Sequence, residues 1–332
     1  MTDPARFSVG NSPAAHMVLL ARAPERVLAL RLAMSSAVGP SSVVLDAGCG
    51  SLGVLAIMAA RLGARRVVAV DHGRLDAARA LAEENGVADR IEFRQCDLAD
   101  LPAGSGSFDV ILGMIYYNEP RRDLARQQLM AGLASRFAHP GTTFIPDTVR
   151  YTVAGYDSAG PDRTDRTRHD GWDSAVSRAE ALTGITMASI RPFPGPDDSA
   201  ITGQLPLLPG SRVGQQRWRG LRQRCWAARV RRAQAGPGMT LLTSREVFTQ
   251  ISYTDPATAL TYPPAPALTV TAAGRLDTTI WHQELKVGDL LIWDTATIHS
   301  LTPPRDVQPG DTANLLTDDG WDDAIPLSIR RN

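Results

Sequence analysis

Lysine is almost missing from this chain. Of 35 basic side chains only Lys286 is a lysine; the rest are arginines. With the abundant Ala, Gly and Pro, this reads as the coding bias of a GC-rich genome and carries no function. Net charge is missing too: 35 acidic residues balance the 35 basic ones. Nothing global therefore favours a nucleic acid or a membrane surface as partner. Cysteine is sparse. Cys49, Cys96 and Cys225 are far apart, odd in number and form no CxxC pair. That argues against a disulfide framework and against a metal site, and makes a reducing cytoplasm the expected compartment. Long apolar runs are absent as well. The stretch around Met17 to Ala21 is cut by Arg22 and Pro24, and MTDPARFSVG has no basic region followed by an apolar core. Neither a signal peptide nor a membrane span is expected.

What is present is a change of texture near residue 146. Residues 13–37 carry helical spacing (Val18, Leu19, Val27, Leu28, Leu30, Leu32), interrupted by Pro24. This predicts an N-terminal helical cap over residues 1–40, as two helices or one kinked one. Strands and helices then alternate. Val43 to Leu45, Arg66 to Val70, Ile91 to Phe93 and Asp109 to Leu112 read as strands; Leu52 to Leu62, Leu75 to Asn85 and Arg122 to Phe137 read as helices. The pattern implies a parallel, doubly wound α/β domain over residues 41–146 with right-handed crossovers. Beyond Pro140 the helical period fades. Short alternating segments at Leu268 to Ala272, Thr278 to Trp281, Leu290 to Trp293 and Ile325 to Ile329 predict a β-barrel or sandwich over residues 147–332.

The sharpest local motif is VVLDAGCGSLG, residues 43–53. Gly48, Gly50 and Gly53 follow a strand and open a helix. Glycines there permit a tight turn and close approach of a ligand to the helix N-terminus. Asp71 ends the second strand about 20 residues further on, where an acid accepts hydrogen bonds from ribose hydroxyls. The ligand is thus an adenosine-bearing one, a nicotinamide dinucleotide or S-adenosylmethionine. Asp46, in the D-x-G-x-G arrangement, repels a pyrophosphate but suits the cationic methionine end of S-adenosylmethionine. Asp97 ends the third strand, where adenine would lie. These acids favour S-adenosylmethionine. Cys49 lies in the same loop with no base beside it and is not read as a nucleophile.

The whole chain resembles the protein arginine methyltransferases, class I S-adenosylmethionine-dependent enzymes, and their relatives acting on smaller substrates. The resemblance rests on Asp46-Ala47-Gly48-Cys49-Gly50, on Asp71 and on GTTFIPD, residues 141–147. It implies a Rossmann-like cofactor domain with an N-terminal helical cap, then a C-terminal β-barrel interrupted by a helical dimerisation arm. Phe7 and His16 have the spacing of the cap's aromatic and histidine, and Arg26 lies where an arginine holds the methionine carboxylate. Thr297-Ile298-His299 is similar to a barrel loop that brings a histidine to the active site. The arm falls at residues 198–236. Between Asp198 and Glu246 there is no acidic residue, and Arg217, Arg219, Arg222, Arg224, Arg229, Arg231 and Arg232 crowd one helical stretch. A projecting, homodimer-forming arm is the expectation there, ahead of a polyanion-binding patch.

The segment DVILGMIYYNEP, residues 109–120, departs from the family. In the arginine-modifying members the loop after this strand carries two glutamates that clamp a guanidinium, a planar cation matched by two carboxylates. Here the first such position is Gly113 or Met114, and Glu119 is the loop's acid. A guanidinium would keep part of its charge unpaired, which is costly when buried. Tyr116 and Tyr117 suit a flat aromatic acceptor or the sulfonium methyl. One carboxylate is enough to take an indole N–H proton and raise the nucleophilicity of C3. The chain is similar in size and loop to the indole C3-methyltransferases of actinobacterial pyrroloindoline alkaloid pathways. The expected activity is therefore methyl transfer to a small aromatic metabolite, with Glu119, Tyr116, Tyr117 and His299 at the acceptor. The alternatives are N-methylation of arginine or another guanidine, with Asp109 or Asp123 supplying a second acid, and a regulatory subunit that binds S-adenosylmethionine without turnover.

Overall fold

The computed structural model describes residues 20, 24–116, 120–158, 172–190, 239–254, 263–317 and 324–331. Phe7, His16, Tyr117, Glu119 and the basic segment 198–236 lie outside them. Strands β1 (Val43–Ala47), β2 (Arg66–Asp71), β3 (Ile91–Gln95), β4 (Val110–Leu112) and β5 (Thr143–Ile145) form a parallel sheet in the order β3-β2-β1-β4-β5. Val44, Leu45, Val67, Val68, Ile111 and Leu112 are fully buried. That is the mark of strands covered on both faces, and it explains their unbroken apolar runs. The chain builds outward from β1 to β3 and then returns to the other side of β1 for β4. The crevice at that reversal is the ligand site of open α/β sheets.

Four helices flank or cap the sheet: α1 (Pro24–Ala37), α2 (Val54–Arg61), α3 (Asp76–Glu84) and α4 (Pro120–Phe137). Pro24, which breaks the helical spacing, starts α1, at a position where a missing N–H costs nothing. Helix α2 begins two residues later than its apolar spacing suggests because Gly53 precedes it in the left-handed region, at φ 56° and ψ 30°. A Cβ on Gly53 would also lie 3.0 Å from both Ala78 Cβ and Phe93 Cε1. Each buried Leu or Phe of this layer, such as Leu81 or Phe137, contributes roughly 1.5–3 kcal/mol.

The second half is a half-barrel. Strands β6 (Thr148–Ser158), β7 (Met239–Leu241), β8 (Glu246–Ser252), β9 (Leu268–Thr269), β10 (Gly274–Val287), β11 (Leu290–Val307), β12 (Thr312–Leu315) and β13 (Ala324–Arg330) run in the order β7-β6-β10-β11-β13-β12-β9, with β8 also on β6. Val153, Tyr151 and Val149 of β6 face Trp281, Gln283 and Leu285 of β10 in register. The register of β8 slips opposite Tyr151 and Thr152. This turns Phe248 inward, where its ring meets Trp281 edge-on at 5.1 Å. One hydrophobic core runs from Leu112 and Ile145 of the parallel sheet through Val149 and Trp281 of the half-barrel.

Helix α5 (Trp172–Thr183) has no counterpart in the expected second half, where the helical segment is the arm at 198–236. Ala175, Val176 and Ala179 form its buried stripe. It and the turn after it return to the first domain. Arg31 donates to Leu182 O at 2.9 Å, and the Asn85 Oδ1 accepts from Thr186 N at 2.9 Å. Glu84 accepts the N–H groups of Ala188 and Ser189. Among the described residues no helix is long and apolar enough to cross a membrane.

The packing at Gly53 predicts a graded response. Gly63 also has positive φ, 99°, but a Cβ there meets nothing within 4 Å. Gly53→Ala adds steric conflict to backbone strain and should cost more than the ~1 kcal/mol expected at a merely strained glycine. Thermal melts of both variants check this, and equal losses would contradict it.

Candidate active site

The glycine loop folds back over the end of β2. Gly48 and Cys49 both donate their N–H groups to Val70 O, at 2.9 and 3.0 Å. Gly50 N donates to Asp71 Oδ2 at 2.9 Å and Gly73 N to Asp71 Oδ1 at 2.8 Å. Asp71 is buried. Its carboxylate thus bridges the loops after β1 and β2, at the height where both strands end.

Asp46 lies beneath this loop, 1% exposed. Burial, with the charge of Asp71 adding to it, pushes its carboxyl up to about 7, against one hydrogen bond from the Ala56 N–H. Its Oδ2 has no hydrogen-bond partner. Two buried acids side by side favour a cation between or above them. Burial, reinforced by Asp46 and Asp71, also pushes the Cys49 thiol well up, which keeps it inert. Asp97 is exposed just past β3 and accepts from Ala99 N at 2.9 Å, capping a single 3-10 turn. Arg26, expected at the cofactor's carboxylate, sits with Cζ 5.4 Å from the centroid of Trp293 on β11, tying α1 to the half-barrel.

The loop after β4 touches the glycine loop directly. Gly48 has φ 80°, and a Cβ there would lie 2.4 Å from Ile115 Cγ2. At Gly113 a Cβ would lie 2.4 Å from Met130 Cε and 2.5 Å from its Sδ. At Gly113, one of the two positions read as the family's first acid, a side chain would have to displace the end of Met130 from α4. Tyr116, half-buried, shares a hydrogen bond between hydroxyls with Tyr253. Tyr253 follows β8 and is held by its N–H, which donates to Asp147 O at 2.9 Å. Burial pushes the Tyr253 phenol well up, with the Asp123 charge adding to it and the Tyr116 bond opposing, so it stays protonated.

Asp123, in the first turn of α4, is fully buried. Its Oδ2 accepts from Tyr151 OH at 2.6 Å and from Gln283 Nε2 at 2.8 Å, and Gln283 Nε2 also reaches Tyr151 OH at 2.5 Å. Sequence reasoning missed Tyr151, Tyr253 and Gln283. Their signal is only the inward phase of two barrel strands and the turn after a third, 28 to 160 residues away from their partners.

Two expectations are corrected here. Asp109 cannot join a clamp, because it lies at the other end of β4. Its Oδ2 accepts from Val43 N at 2.7 Å, and Oδ1 pairs with His139 at 3.2 Å. Thr297-Ile298-His299 is no loop but the middle of the 18-residue strand β11. His299 is buried opposite Thr279, four residues along β10 from Gln283, or ~13 Å at the rise of a strand. His282 points to the other face; burial first, then Arg245, pushes its imidazole down to about 4, so it stays neutral.

Asp46 makes stability pH-dependent with a definite sign. The folded protein holds its proton up to about pH 7, whereas the unfolded chain releases it near 3.8. The contribution is thus greatest below pH 4 and is lost as pH rises through 7, at about 1.4 kcal/mol per unit within that window. Asp46→Asn removes the titration. Without ligand, the variant should melt above the parent at pH 8 and close to it at pH 4.5. An unchanged pH profile would mean that Asp46 is not the buried acid described.

Residues 44–135 match the family model of a methyltransferase domain. No curated protein sequence matches the chain. Among solved structures, the chain is similar to the PRMT1 enzyme–prozyme heterotetramer of Trypanosoma brucei in complex with AdoHcy. The TM-score is 0.53 at 18% identity, covering 88% of this chain and 84% of that one. It is similar as well to protein arginine methyltransferase 10 of Arabidopsis thaliana, with a TM-score of 0.52 at 17% identity, over 92% of this chain and 85% of that one. Residues 44–135 are thus a methyltransferase domain, and the chain shares its parallel sheet and β half-barrel with both structures.

Proposed function

We propose that this methyltransferase acts on a small aromatic metabolite, and that the methyl-accepting atom is C3 of a tryptamine-type indole. The S–CH3 bond of the sulfonium breaks as the indole π pair forms the C3–CH3 bond. The sulfur keeps the breaking pair and leaves as a neutral thioether. Glu119 takes the indole N–H proton. The resulting C2=N bond is then open to attack by the neutral pendant nitrogen; the C=N π pair goes to the ring nitrogen, which takes up the proton that the amine gives up as the pyrroloindoline closes. Tyr116 and Tyr117 line the ring and the methyl path through their π faces. Alignment of carbon, methyl and sulfur supplies the rest. On the cofactor side, Gly48, Gly50 and Gly53 admit the backbone approach, Asp71 takes the ribose hydroxyls and Asp46 faces the cationic methionine end. Asp97 lies at the adenine, and Phe7 and Arg26 close the cap. His299 is left out of the chemistry because of its distance from Gln283. The basic segment 198–236 serves a homodimer.

The observation that carries this reading is the filling of the Gly113 position by Met130, beside a phenol pair rather than a second acid. A guanidine acceptor is the second reading. It is favoured by the buried carboxylate of Asp123 and by the likeness to two protein arginine methyltransferases. It requires Asp123 to give up Tyr151 or Gln283.

Mass-spectrometric methyl-transfer assays test both readings. With S-adenosylmethionine, tryptamine should gain one methyl and show a quaternary C3 by NMR, while arginine and an arginine-rich peptide stay unmodified. Methylation of arginine alone overturns the indole reading. Glu119→Gln should lower kcat ~10²–10⁴-fold with cofactor affinity unchanged; a variant at full rate removes Glu119 as base. Asp71→Asn should weaken S-adenosylmethionine binding ~10-fold or more, since a charge-assisted hydrogen bond is lost. Unchanged affinity in a calorimetric titration would put the ribose elsewhere.

A further inference from the structure

Gln127 carries the least explained polar group of the described residues. It is fully buried, and neither its Nε2 nor its Oε1 has a hydrogen-bond partner. It stands one turn after Asp123 on the same face of α4 and one turn before Met130, the residue that fills the space at Gly113. That face looks into the space between the end of β4 and the half-barrel. Gln283 arrives there from β10. Both of its strong donations, to Asp123 and to Tyr151, leave from Nε2, and its Oε1 has no partner. One amide oxygen on the Asp123 face of α4 and a second on Gln283, which Asp123 holds from β10, thus both lack partners. Buried amides without partners are rare in folded proteins, because each forfeits the hydrogen bonds it had in water. Their combined demand is for donors. A single amide N–H meets one oxygen; an ammonium group offers three N–H donors and a charge that suits Asp123.

We propose that Gln127, Gln283 and Asp123 form a recognition pocket for a protonated primary amine on the methyl acceptor, remote from the carbon that reacts. This rests on the reading of the acceptor as a small aromatic molecule. It narrows that class to aromatic amines, with the amine seated against α4 and the ring toward Tyr116. The remaining donor, Gln127 Nε2, takes a water or an oxygen substituent of the same ligand. The role of Gln127 is specificity: it binds a group that takes no part in the methyl transfer and closes onto C2 only after leaving the pocket and becoming neutral.

The test is calorimetric titration of the full chain, loaded with S-adenosylhomocysteine, with tryptamine and with its uncharged isostere 3-propylindole. The parent should bind tryptamine at least ten-fold more tightly. Gln127→Leu should bring that ratio close to one, and Gln127→Glu should restore or widen it. Gln127→Leu should also melt no lower than the parent without ligand, because it removes two unmade hydrogen bonds; a structural glutamine would melt lower. Gln283→Met gives a second check from the other element. A ratio near one in the parent, or one that Gln127→Leu leaves unchanged, overturns the pocket. Failure to bind either ligand overturns it too. A large, Gln127-dependent ratio without methyl transfer leaves the amine pocket standing and sinks the indole acceptor. Methyl transfer to tryptamine and 3-propylindole alike does the reverse.

Discussion

A single close approach organises this molecule: the glycine loop after β1 and the loop after β4 meet where Gly48 faces Ile115. No side chain fits between them, since a Cβ on Gly48 would come within 2.4 Å of the Ile115 methyl. The contact follows from the strand order, which places β4 beside β1 only after the chain has gone out to β3 and come back. Because the sheet reverses there, the glycine loop and the loop after β4, distant in sequence, become neighbours. The N-terminal turns of α4 then rise beyond the sheet to meet the half-barrel, and Asp123 is the residue that receives it.

Electrostatics divide the crevice into two halves. On the glycine side, Asp46 and Asp71 stand close enough for one to raise the carboxyl of the other. Such a pair is unfavourable without a ligand and is relieved by a cationic one, which is what a sulfonium with its ammonium group supplies. On the barrel side the described groups are phenols, amides and the carboxylate of Asp123. Burial keeps Tyr253 protonated, and hydrogen bonds hold Tyr151 and Gln283 to Asp123. A site of this composition orients and desolvates more than it polarises, in keeping with a reaction whose main need is alignment.

The first half of the fold was legible in the sequence because its signals are local. A buried strand, three glycines and a helix start occupy eleven consecutive residues, and Asp71 falls at the end of the next strand. The barrel was legible only as a texture. Alternation along β6 and β10 tells which residues share a face, but not that Tyr151 stands opposite Gln283; that depends on register, which long-range pairing decides. The same limit hid Tyr253 and misread His299, whose TxH tripeptide looks like a loop until β11 is seen to run straight through it. Helix α5 was missed because its stripe of Ala175, Val176 and Ala179 is short and weakly apolar, and is stabilised by docking on α1 and α3 rather than by its own spacing. Met130 filling the space at Gly113 explains the glycine in DVILGM, which the sequence alone left as an unexplained loss of an acid.

The most direct measurement is a crystal structure of the full chain with S-adenosylhomocysteine and tryptamine bound together. The arrangement described here places the cofactor ribose on Asp71, the indole against Tyr116 with C3 facing the sulfur, and the amine between Gln127 and Gln283. An indole bound outside the β4–α4 crevice, or a cofactor whose ribose does not touch Asp71, would contradict it.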